Sequence, residues 1–380
     1  METDLSGSIA KHFANLEDPR IDRTKRHSLL DILVIAICAV ICGADNWEEV
    51  QLFGEAKQAW FKTFLELPNG IPSHDTFWRV FARLDPEQFQ ESFVKWISSV
   101  AEVTRGQVIA IDGKTLRRSH DRSLGRGAID RVSARAAENH LVLGQVKVDD
   151  KSNEITAIPE LLRVLEISGC IVTIDALGCQ KEIAATIIDQ EADYVLALKE
   201  NHGRLYEDLV KLFDDLQASD FKAYSCSQAQ TVDKNHGRLE TRTGWVIADQ
   251  PVLMQLRDAP EWKGLQAVVK VHARRQIGEE VSEMDRYFIA SRAAQASELL
   301  GVVRSHWSIE NELHWVLDIA FREDESRIRK DHGPENFAVL RHIAVNLVKQ
   351  EKTQKASIKG KRLKAGWDEV YLLKILSGLF

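Results

Sequence analysis

The stretch Val108–Gly113, with the sequence VIAIDG, decides the fold class of this 380-residue chain, because a run of apolar, mostly β-branched residues ends in an aspartate. Ile171–Ala176, with the sequence IVTIDA, repeats the pattern. Both runs are too apolar for a surface strand, so each predicts a buried strand of an α/β sheet. Ligands of such sheets bind at the carboxyl ends of the strands, where Asp112 and Asp175 would lie.

The segments around these two strands alternate between strand and helix patterns, which is typical of an α/β layer architecture. The sequence also predicts strands at 141–148, 154–158 and 194–198, and helices at 159–168, 180–190 and 204–216. Residues 221–290 are mostly strand-like and predict a β-rich insertion. Two long helices are then predicted at 297–321 and 334–348.

The chain on either side of this α/β part has a different pattern. Residues 1–103 predict an all-helical domain, in which Leu29–Val40 is apolar on almost every side, as in a buried helix. Residues 351–380 predict a basic C-terminal tail that is mobile as far as Trp367. The usual interpretation of such a run of like charges is a solvated surface.

The composition limits the class of protein. Hydrophobic residues make up 44% and charged residues 28%, which is ordinary for a soluble globular chain. The longest apolar run, Ile32–Cys42, is shorter than the ~20 residues of a membrane helix, and the first residues do not resemble a signal peptide. Five scattered cysteines favour a reduced, cytoplasmic location. A net charge of -7 means that any binding of nucleic acid must depend on local basic patches.

One such patch follows Asp112 directly. It contains seven basic residues against two acidic ones, Asp121 and Asp130: Lys114, Arg117, Arg118, Arg122, Arg126, Arg131 and Arg135. We interpret this segment as a loop. Because it adjoins a candidate carboxylate site, we predict that it binds the phosphates of a polyanionic substrate.

A site for a hard cation such as Mg²⁺ would need a third acidic residue, because this ion prefers carboxylates, waters and substrate phosphates as ligands. Glu310 is a candidate, since His306 and His314 flank it at four residues on either side and form a polar stripe on the predicted helix. By spacing alone, a solvated helix carboxylate is the stronger interpretation of Glu310.

Two other kinds of site are excluded by spacing. His306 and His314 are about 12 Å apart along a helix, too far to bind one zinc ion without other ligands. Gly113-Lys114-Thr115 resembles the end of a nucleotide-binding loop, but the first glycine of that motif would fall on Val108.

Taken together, these residues resemble the H-repeat-associated insertion-sequence transposases, a branch of the DDE transposase superfamily. The resemblance runs from about residue 15 to residue 350 as an ordered series of short blocks: Asp18–Arg20, His27–Leu33, Gly43-Ala44 with Trp47, Leu67–Phe77, Ile111–Arg117, Ile174–Gln180, Asp193–Lys199, His306–Trp315, Pro334–Asn336 and Leu340–His342.

The resemblance implies a ribonuclease-H-like catalytic domain preceded by an all-helical N-terminal domain. The catalytic domain would consist of residues 104–220 and 293–350, separated by a β-rich insertion at 221–292. Its catalytic and metal-binding residues would be Asp112, Asp175 and Glu310, with Mg²⁺ as cofactor and Mn²⁺ able to replace it. Related transposases often carry a Tyr, Arg and Lys around the third acid, where this chain has three other residues: Val303, His306 and Leu317. Asp318 and Asp324 therefore stay open as alternatives to Glu310.

The activity implied by the resemblance is two-metal phosphoryl transfer, with DNA cleavage at the ends of the element followed by strand transfer to target DNA. Lys114, Arg117, Arg118 and His306 would contact DNA phosphates. The N-terminal helices would bind the terminal inverted repeats, and a homodimer would join the two ends. Two alternatives are a metal-dependent nuclease without strand transfer and an inactive, transposase-derived DNA-binding protein.

Overall fold

The computed structural model describes residues 11–13, 15–100, 105–120, 127–148, 153–235 and 237–377. These residues form a helical N-terminal region and a mixed α/β part built on one large sheet. The α/β fold predicted from the two Asp-terminated strands is therefore confirmed.

The sheet contains nine strands in the part of the chain described: β1 (Val108–Leu116), β2 (Ile129–Ala136), β3 (Val142–Lys147), β4 (Ile171–Ile174), β5 (Asp193–Leu198), β6 (Ser227–Asn235), β7 (Arg238–Ile247), β8 (Ala267–Ile277) and β9 (Glu280–Ala290). Their order is β3-β2-β1-β4-β5-β9-β8-β7-β6. β4 runs parallel to both β1 and β5, whereas the other neighbours are antiparallel. The strand-rich segment after residue 221 thus extends the sheet that begins with β1.

The main helices of the described chain before the sheet are α1 (Leu29–Cys42), α2 (Trp47–Ala56), α3 (Gln58–Phe61), α4 (His74–Arg83) and α5 (Pro86–Val100). The side chain of Ser28 accepts a hydrogen bond from the backbone N–H of Asp31 and so caps the start of α1. Gly43 ends this helix with φ of 118°, a left-handed conformation that glycine adopts without steric cost. The buried helix predicted at Leu29–Val40 is confirmed.

The remaining helices lie between or after the strands: α6 (Glu154–Val164), α7 (Lys181–Asp189), α8 (Gly203–Ala218), α9 (Gln250–Leu253), α10 (Ala296–His306), α11 (Trp315–Ala320), α12 (Gly333–Gln350), α13 (Ile358–Trp367) and α14 (Glu369–Leu376). α10 packs across β1, β4 and β7 through a separate apolar cluster, whereas α6 packs on β2 and β3. The centre of the sheet is therefore shielded from solvent on both faces.

The basic segment after Asp112 has a different structure from the predicted loop. β1 continues to Leu116 and pairs with β2, whose residues 131 and 135 are arginines with almost no exposed surface. These arginines form ion pairs with Glu323 and Glu312. Because of its charged residues, this buried strand has the composition of a solvated loop. The loop interpretation is wrong for residues 113–116 and 129–135, while Asp121, Arg122 and Arg126 lie outside the described residues.

The predicted strand at 154–158 is wrong as well, because these residues begin α6. The side chain of Asn153 accepts a hydrogen bond from the N–H of Ile155 at 3.1 Å and caps the first turn. β-Branched residues favour strands only weakly, and packing against the sheet decides their structure here. Pro159, which was predicted to open a helix, lies inside it.

The N-terminal helices share one hydrophobic core with α12. The ring of Trp47 stacks on Phe81 at 4.7 Å and meets the edge of Phe337 at 5.0 Å. The side-chain amide of Asn336 donates to the backbone oxygens of Phe81 and Leu84, at 2.8 and 2.9 Å. α12 thereby connects the helical region to the α/β part.

The C-terminal segment is folded rather than mobile over residues 358–367. Arg362 in α13 is buried and donates to the backbone oxygens of Val40 and Ile41, at the end of α1. Its guanidinium lies over the ring of Phe321 at 3.8 Å. The basic composition predicted a solvated tail. Instead, the hydrogen bonds of Arg362 and its stacking on Phe321 attach α13 to the core.

Among the described residues, no single helix is both long and apolar enough to cross a membrane; α1 and α2 reach those limits only when taken together, and they are bent by 97° at their junction.

Acid sensitivity is expected from His342, a fully buried residue of α12 with no hydrogen-bond partner for either ring nitrogen among the described residues. Burial lowers its pKa well below 6.5, and the charge of Arg131 lowers it further. The unfolded chain therefore takes up a proton near pH 6.5 that the folded chain does not bind. The free energy of unfolding should fall as the pH drops below 6.5, by up to about 1.4 kcal/mol per pH unit for this residue.

Urea unfolding at pH 7, 6 and 5 would measure this slope. A His342→Leu variant should lose that part of the slope while keeping the contributions of the other histidines. An identical slope in the variant and the wild type would contradict the assignment.

Candidate active site

Asp112 and Asp175 lie side by side on two neighbouring inner strands of the sheet. Asp175 directly follows the end of β4, as predicted, whereas Asp112 lies inside β1, which continues to Leu116. β1 and β4 are parallel with Ile111 opposite Ile174, so the next residue of each chain segment is an aspartate at the same level. The carboxylate of Asp175 accepts hydrogen bonds from the backbone N–H groups of Leu177 and Gly178, at 3.1 and 3.3 Å. These bonds fix the loop that leaves β4.

Both aspartates line a cavity of about 840 Å³, and Glu310 and His306 line it as well. The structure thus brings together all three acids named from the sequence, although Glu310 is 198 residues beyond Asp112 in the chain. The rest of the wall comes from the loop after β4, the end of β5 and the turn that follows it, the middle of β9 and the end of α10. Its residues are Ala176, Leu177, Ala197, Leu198, Lys199, Glu200, Asn201, Tyr206, Met284, Asp285, Arg286, Tyr287, Phe288, Val303 and Trp307.

Burial, together with repulsion between carboxylates, disfavours the charged form of Asp112 in the cavity. The pKa of Asp112 is raised to about 7, chiefly by burial and then by the negative charges of Asp175 and Glu310. Groups that repel in this way favour either a proton or a bound cation. An arrangement of this kind is common at functional sites.

Glu154, in the first turn of α6, is a further acid close to Asp112 and Asp175 that was missed because its segment was predicted as a strand. It does not line the cavity, whereas Glu200 and Asp285 do. The carboxylate of Glu154 lies against Gly113, where a Cβ atom would collide with it. Its pKa is raised by burial and then by Asp175. Gly113 therefore allows α6 to approach β1 closely.

The donor chemistry of these side chains fits Mg²⁺ or Mn²⁺, because carboxylate oxygens are the protein ligands that such ions prefer. A divalent cation would also relieve the repulsion that raises the pKa of Asp112. Within the described ranges, no three His, Cys, Asp or Glu side chains are already grouped closely enough to surround one ion. Binding would therefore require a change of side-chain rotamer in at least one of the acids.

Glu310 is carried by an unusual turn. The helix predicted at 297–321 is confirmed over most of its length, but it is not regular: α10 ends at His306, and a π-helical turn, Glu310–His314, precedes α11. Such turns insert an extra residue and are frequent at functional sites.

The two histidines beside this turn contact different strands. His306 Nδ1 lies 3.2 Å from Thr173 Oγ1 on β4, and His314 Nδ1 lies 3.5 Å from a carboxylate oxygen of Asp112. Burial lowers the pKa of His314 to about 3, so this imidazole is neutral. His314 therefore lies beside Asp112 as a neutral imidazole and not as a cation, at a distance longer than an ordinary hydrogen bond.

Of the residues predicted to contact DNA phosphates, His306 lines the cavity, whereas Lys114, Arg117 and Arg118 do not. Lys114 is 9% exposed and is paired with Glu323 at 3.0 Å and also with Asp318. Arg117 is exposed and lies 3.3 Å from Asp324, while Arg329 donates to the backbone oxygen of Arg118. Asp318 and Asp324, the alternatives to Glu310, are thus engaged in ion pairs outside the cavity.

Arg286 and Trp307 are cavity residues that the sequence did not reveal. The guanidinium of Arg286, on β9, lies 4.5 Å from the centroid of the indole ring. Stacking on Trp307 holds the guanidinium of Arg286 at the cavity wall, where its N–H groups can donate hydrogen bonds to an anion. No local signal identified Arg286, because its role depends on a contact with a helix that follows β9 in sequence.

Known proteins resemble this chain over nearly its whole length. A family model described as "Transposase DDE domain" matches residues 104–347, and one described as "DDE_Tnp_1-associated" matches residues 10–97. "Putative transposase YncI" of Escherichia coli O157:H7 is 41% identical over 97% of this chain and 94% of its own length. "H repeat-associated putative transposase YhhI" of Escherichia coli strain K12 is 41% identical over 97% of this chain and 98% of its own length.

A third relative is much shorter. "Inactive transposase YbfQ" of Escherichia coli strain K12 is 47% identical but matches 20% of this chain, which is 89% of its own length.

Proposed function

The chain belongs to the family of transposases with a DDE domain, and from that premise we propose that it cleaves DNA at the ends of its own insertion sequence and joins those ends to target DNA. The observation that carries this proposal is the cavity lined by Asp112, Asp175 and Glu310. Three carboxylates from separate segments converge there beside a stacked arginine. Phosphoryl transfer needs such an arrangement because its main requirements are positioning and neutralisation of charge.

We assign the catalytic domain a ribonuclease-H-like fold, with residues 104–220 and 293–350 as its two parts. The strand order β3-β2-β1-β4-β5, with β2 antiparallel to β1, supports this assignment. Residues 221–292, which include β6–β9, would be an insertion between the second and third acids. Residues 1–103 would bind the ends of the element, and residues 351–380 would add non-specific affinity for DNA.

Asp112, Asp175 and Glu310 would together hold two Mg²⁺ ions, with Mn²⁺ able to replace them. When bound, the metal activates the attacking water or 3′-hydroxyl and neutralises charge that develops on the leaving oxygen. His314, a neutral imidazole 3.5 Å from Asp112, would help to position that carboxylate. His306, which lies beside Thr173 and lines the cavity, would contact a DNA phosphate.

Arg286 is the cation best placed to bind a DNA phosphate, because it lines the cavity and stacks on Trp307. Outside the cavity lie Lys114, Arg117 and Arg118. Lys114 is buried in an ion pair, so only the two arginines would contact phosphates, farther along the DNA. A homodimer on DNA follows from the chemistry, since two ends of double-stranded DNA must be joined.

An Arg286→Gln variant should lower kcat/KM for cleavage by about 10- to 100-fold, which corresponds to one lost charge-assisted hydrogen bond of about 1.5–3 kcal/mol. The slope of log binding constant against log salt concentration should also become shallower by about one, because one phosphate contact is lost. Filter binding at several salt concentrations would measure the slope. Arg274→Gln is a matched control, since Arg274 is exposed on β8 and pairs with Glu283 outside the cavity. An unchanged slope in Arg286→Gln would contradict this role.

The proposed function can be tested with a marked element. A resistance gene would be placed between the DNA flanks of this gene, and the protein would be supplied from a second plasmid. Excision together with insertion into new sites would support a transposase. Excision without insertion would favour a nuclease that lacks strand transfer, and DNA binding without either reaction would favour an inactive relative, as the name of YbfQ describes for that protein.

A further inference from the structure

Arg135 is a buried arginine of β2 that reaches the turn carrying Glu310. Its Nη1 donates to Ser308 Oγ, and its Nη2 donates to a carboxylate oxygen of Glu312. Ser308 and Glu312 lie two residues before and two residues after Glu310. One planar guanidinium therefore holds this turn on both sides of the third acid.

A second cation holds the same turn from a different element. Lys349, on α12, donates to the backbone oxygen of Glu312 at 2.8 Å and to that of His140 at 3.4 Å. The π-helical turn departs from regular helical hydrogen bonding. Contacts from β2 and α12 thus fix a backbone that helical hydrogen bonds alone do not define.

Fold stability alone explains Arg135 poorly. Its side chain is 0% exposed, and its Nε has no hydrogen-bond partner among the described residues. Burying a guanidinium has a large desolvation cost, and hydrophobic replacements of buried ion pairs are often equally or more stable. A role in positioning Ser308 and Glu312 explains this buried ion pair better, because the planar guanidinium fixes the directions of both hydrogen bonds that Arg135 donates.

We propose that Arg135 is a positioning residue that sets Glu310 against Asp112 and Asp175 by clamping Ser308 and Glu312, so that the three carboxylates can bind a divalent cation. This inference rests on the proposed function, because it assumes that these acids bind metal. Arg135 does not touch the substrate. Its effect reaches the site through the backbone of the turn.

Mn²⁺ binding measured by isothermal titration calorimetry, without DNA, would test the inference separately from catalysis. Arg135→Met keeps most of the side-chain volume and leaves Glu312, which is 45% exposed, to be solvated by water. Its Mn²⁺ affinity should fall by about 10- to 100-fold, the usual effect of removing an outer partner of a metal ligand. Arg362→Met is the matched control: this arginine is also buried but bonds α1 instead of the turn, so affinity should match wild type.

The outcomes separate the two proposals. Wild-type affinity in a folded Arg135→Met protein would overturn the positioning role and leave the proposed function intact. If that variant does not fold, Glu312→Gln breaks the same ion pair at a half-exposed position, and wild-type affinity there would overturn the role instead. Absence of Mn²⁺ binding in the wild-type protein would overturn the metal site and with it the proposed function.

Discussion

An Asp112→Asn variant is expected to cleave DNA at least about 1,000-fold more slowly than the wild-type protein. The substitution keeps the shape of the side chain but removes one anionic oxygen from the cavity. Loss of a carboxylate ligand at a metal-dependent phosphoryl-transfer site costs several kcal/mol of transition-state stabilisation, and about 4 kcal/mol corresponds to this factor. Single-turnover cleavage of a short duplex that carries one end of the element would measure the rate.

The same variant should still fold and bind DNA. Burial and the charges of Asp175 and Glu310 raise the pKa of Asp112, so its ionised form is unfavourable in the folded protein. A neutral asparagine should therefore give a thermal midpoint at or above that of the wild type. Gel-shift affinity for the duplex should stay within about twofold. Cleavage at the wild-type rate by this variant would contradict the role of Asp112.

A Glu323→Gln variant is expected to lose about 3–5 kcal/mol of folding free energy. Glu323 is fully buried and pairs with Lys114 at 3.0 Å and with Arg131 at 2.5 Å. Its pKa is held far below its usual range by these cations, even though burial opposes ionisation. Neutralising it removes the ion pair of the buried Arg131 and leaves Lys114 with Asp318 as its counter-charge. Urea denaturation at pH 7 would measure the loss.

Glu325→Gln is the matched control, since Glu325 lies in the same short turn but is 54% exposed and pairs with the exposed Arg322. A surface ion pair contributes at most about 1 kcal/mol, so this control should unfold close to the wild type. Equal effects of the two substitutions would contradict the buried network. Such a result would also free Lys114 for the phosphate contact suggested by the sequence.

The sequence identified the part of the site that depends on strands. The apolar runs before Asp112 and Asp175 each predict a buried strand without information from distant residues, and the structure shows that the two strands are neighbours. Glu310 came from the resemblance to a family, because a helix carboxylate carries no signal of its own. Of the three departures from the longer signature, Val303 and His306 line the cavity, whereas Leu317 is buried in the core.

The parts that the sequence did not reveal depend on contacts between distant segments. β2 was missed because its arginines are neutralised by Glu312 and Glu323, which follow it by more than 170 residues. Arg286 acquires its position only by stacking on Trp307. Local propensity cannot report such pairs, since tertiary contacts override it.

The π-helical turn was missed for a related reason. The segment 297–321 has the periodicity of one continuous helix. Its irregular part, Trp307 and the π-helical turn, lies where Arg135 and Lys349 attach the turn to β2 and α12. Long helices are easy to predict, but their local defects are not, because the defect depends on partners elsewhere in the chain.

Mapping the DNA ends produced by the purified protein tests the central claim most directly. The substrate would be a fragment that contains this gene and its flanks, incubated with Mg²⁺, with Mn²⁺ or with a chelator. We predict cuts at the two boundaries of the element with free 3′-hydroxyl groups, present with either ion and absent with the chelator or in Asp112→Asn. Boundary cuts that persist in the chelator or in that variant would contradict the account, as would a wild-type protein that binds the ends and never cuts them.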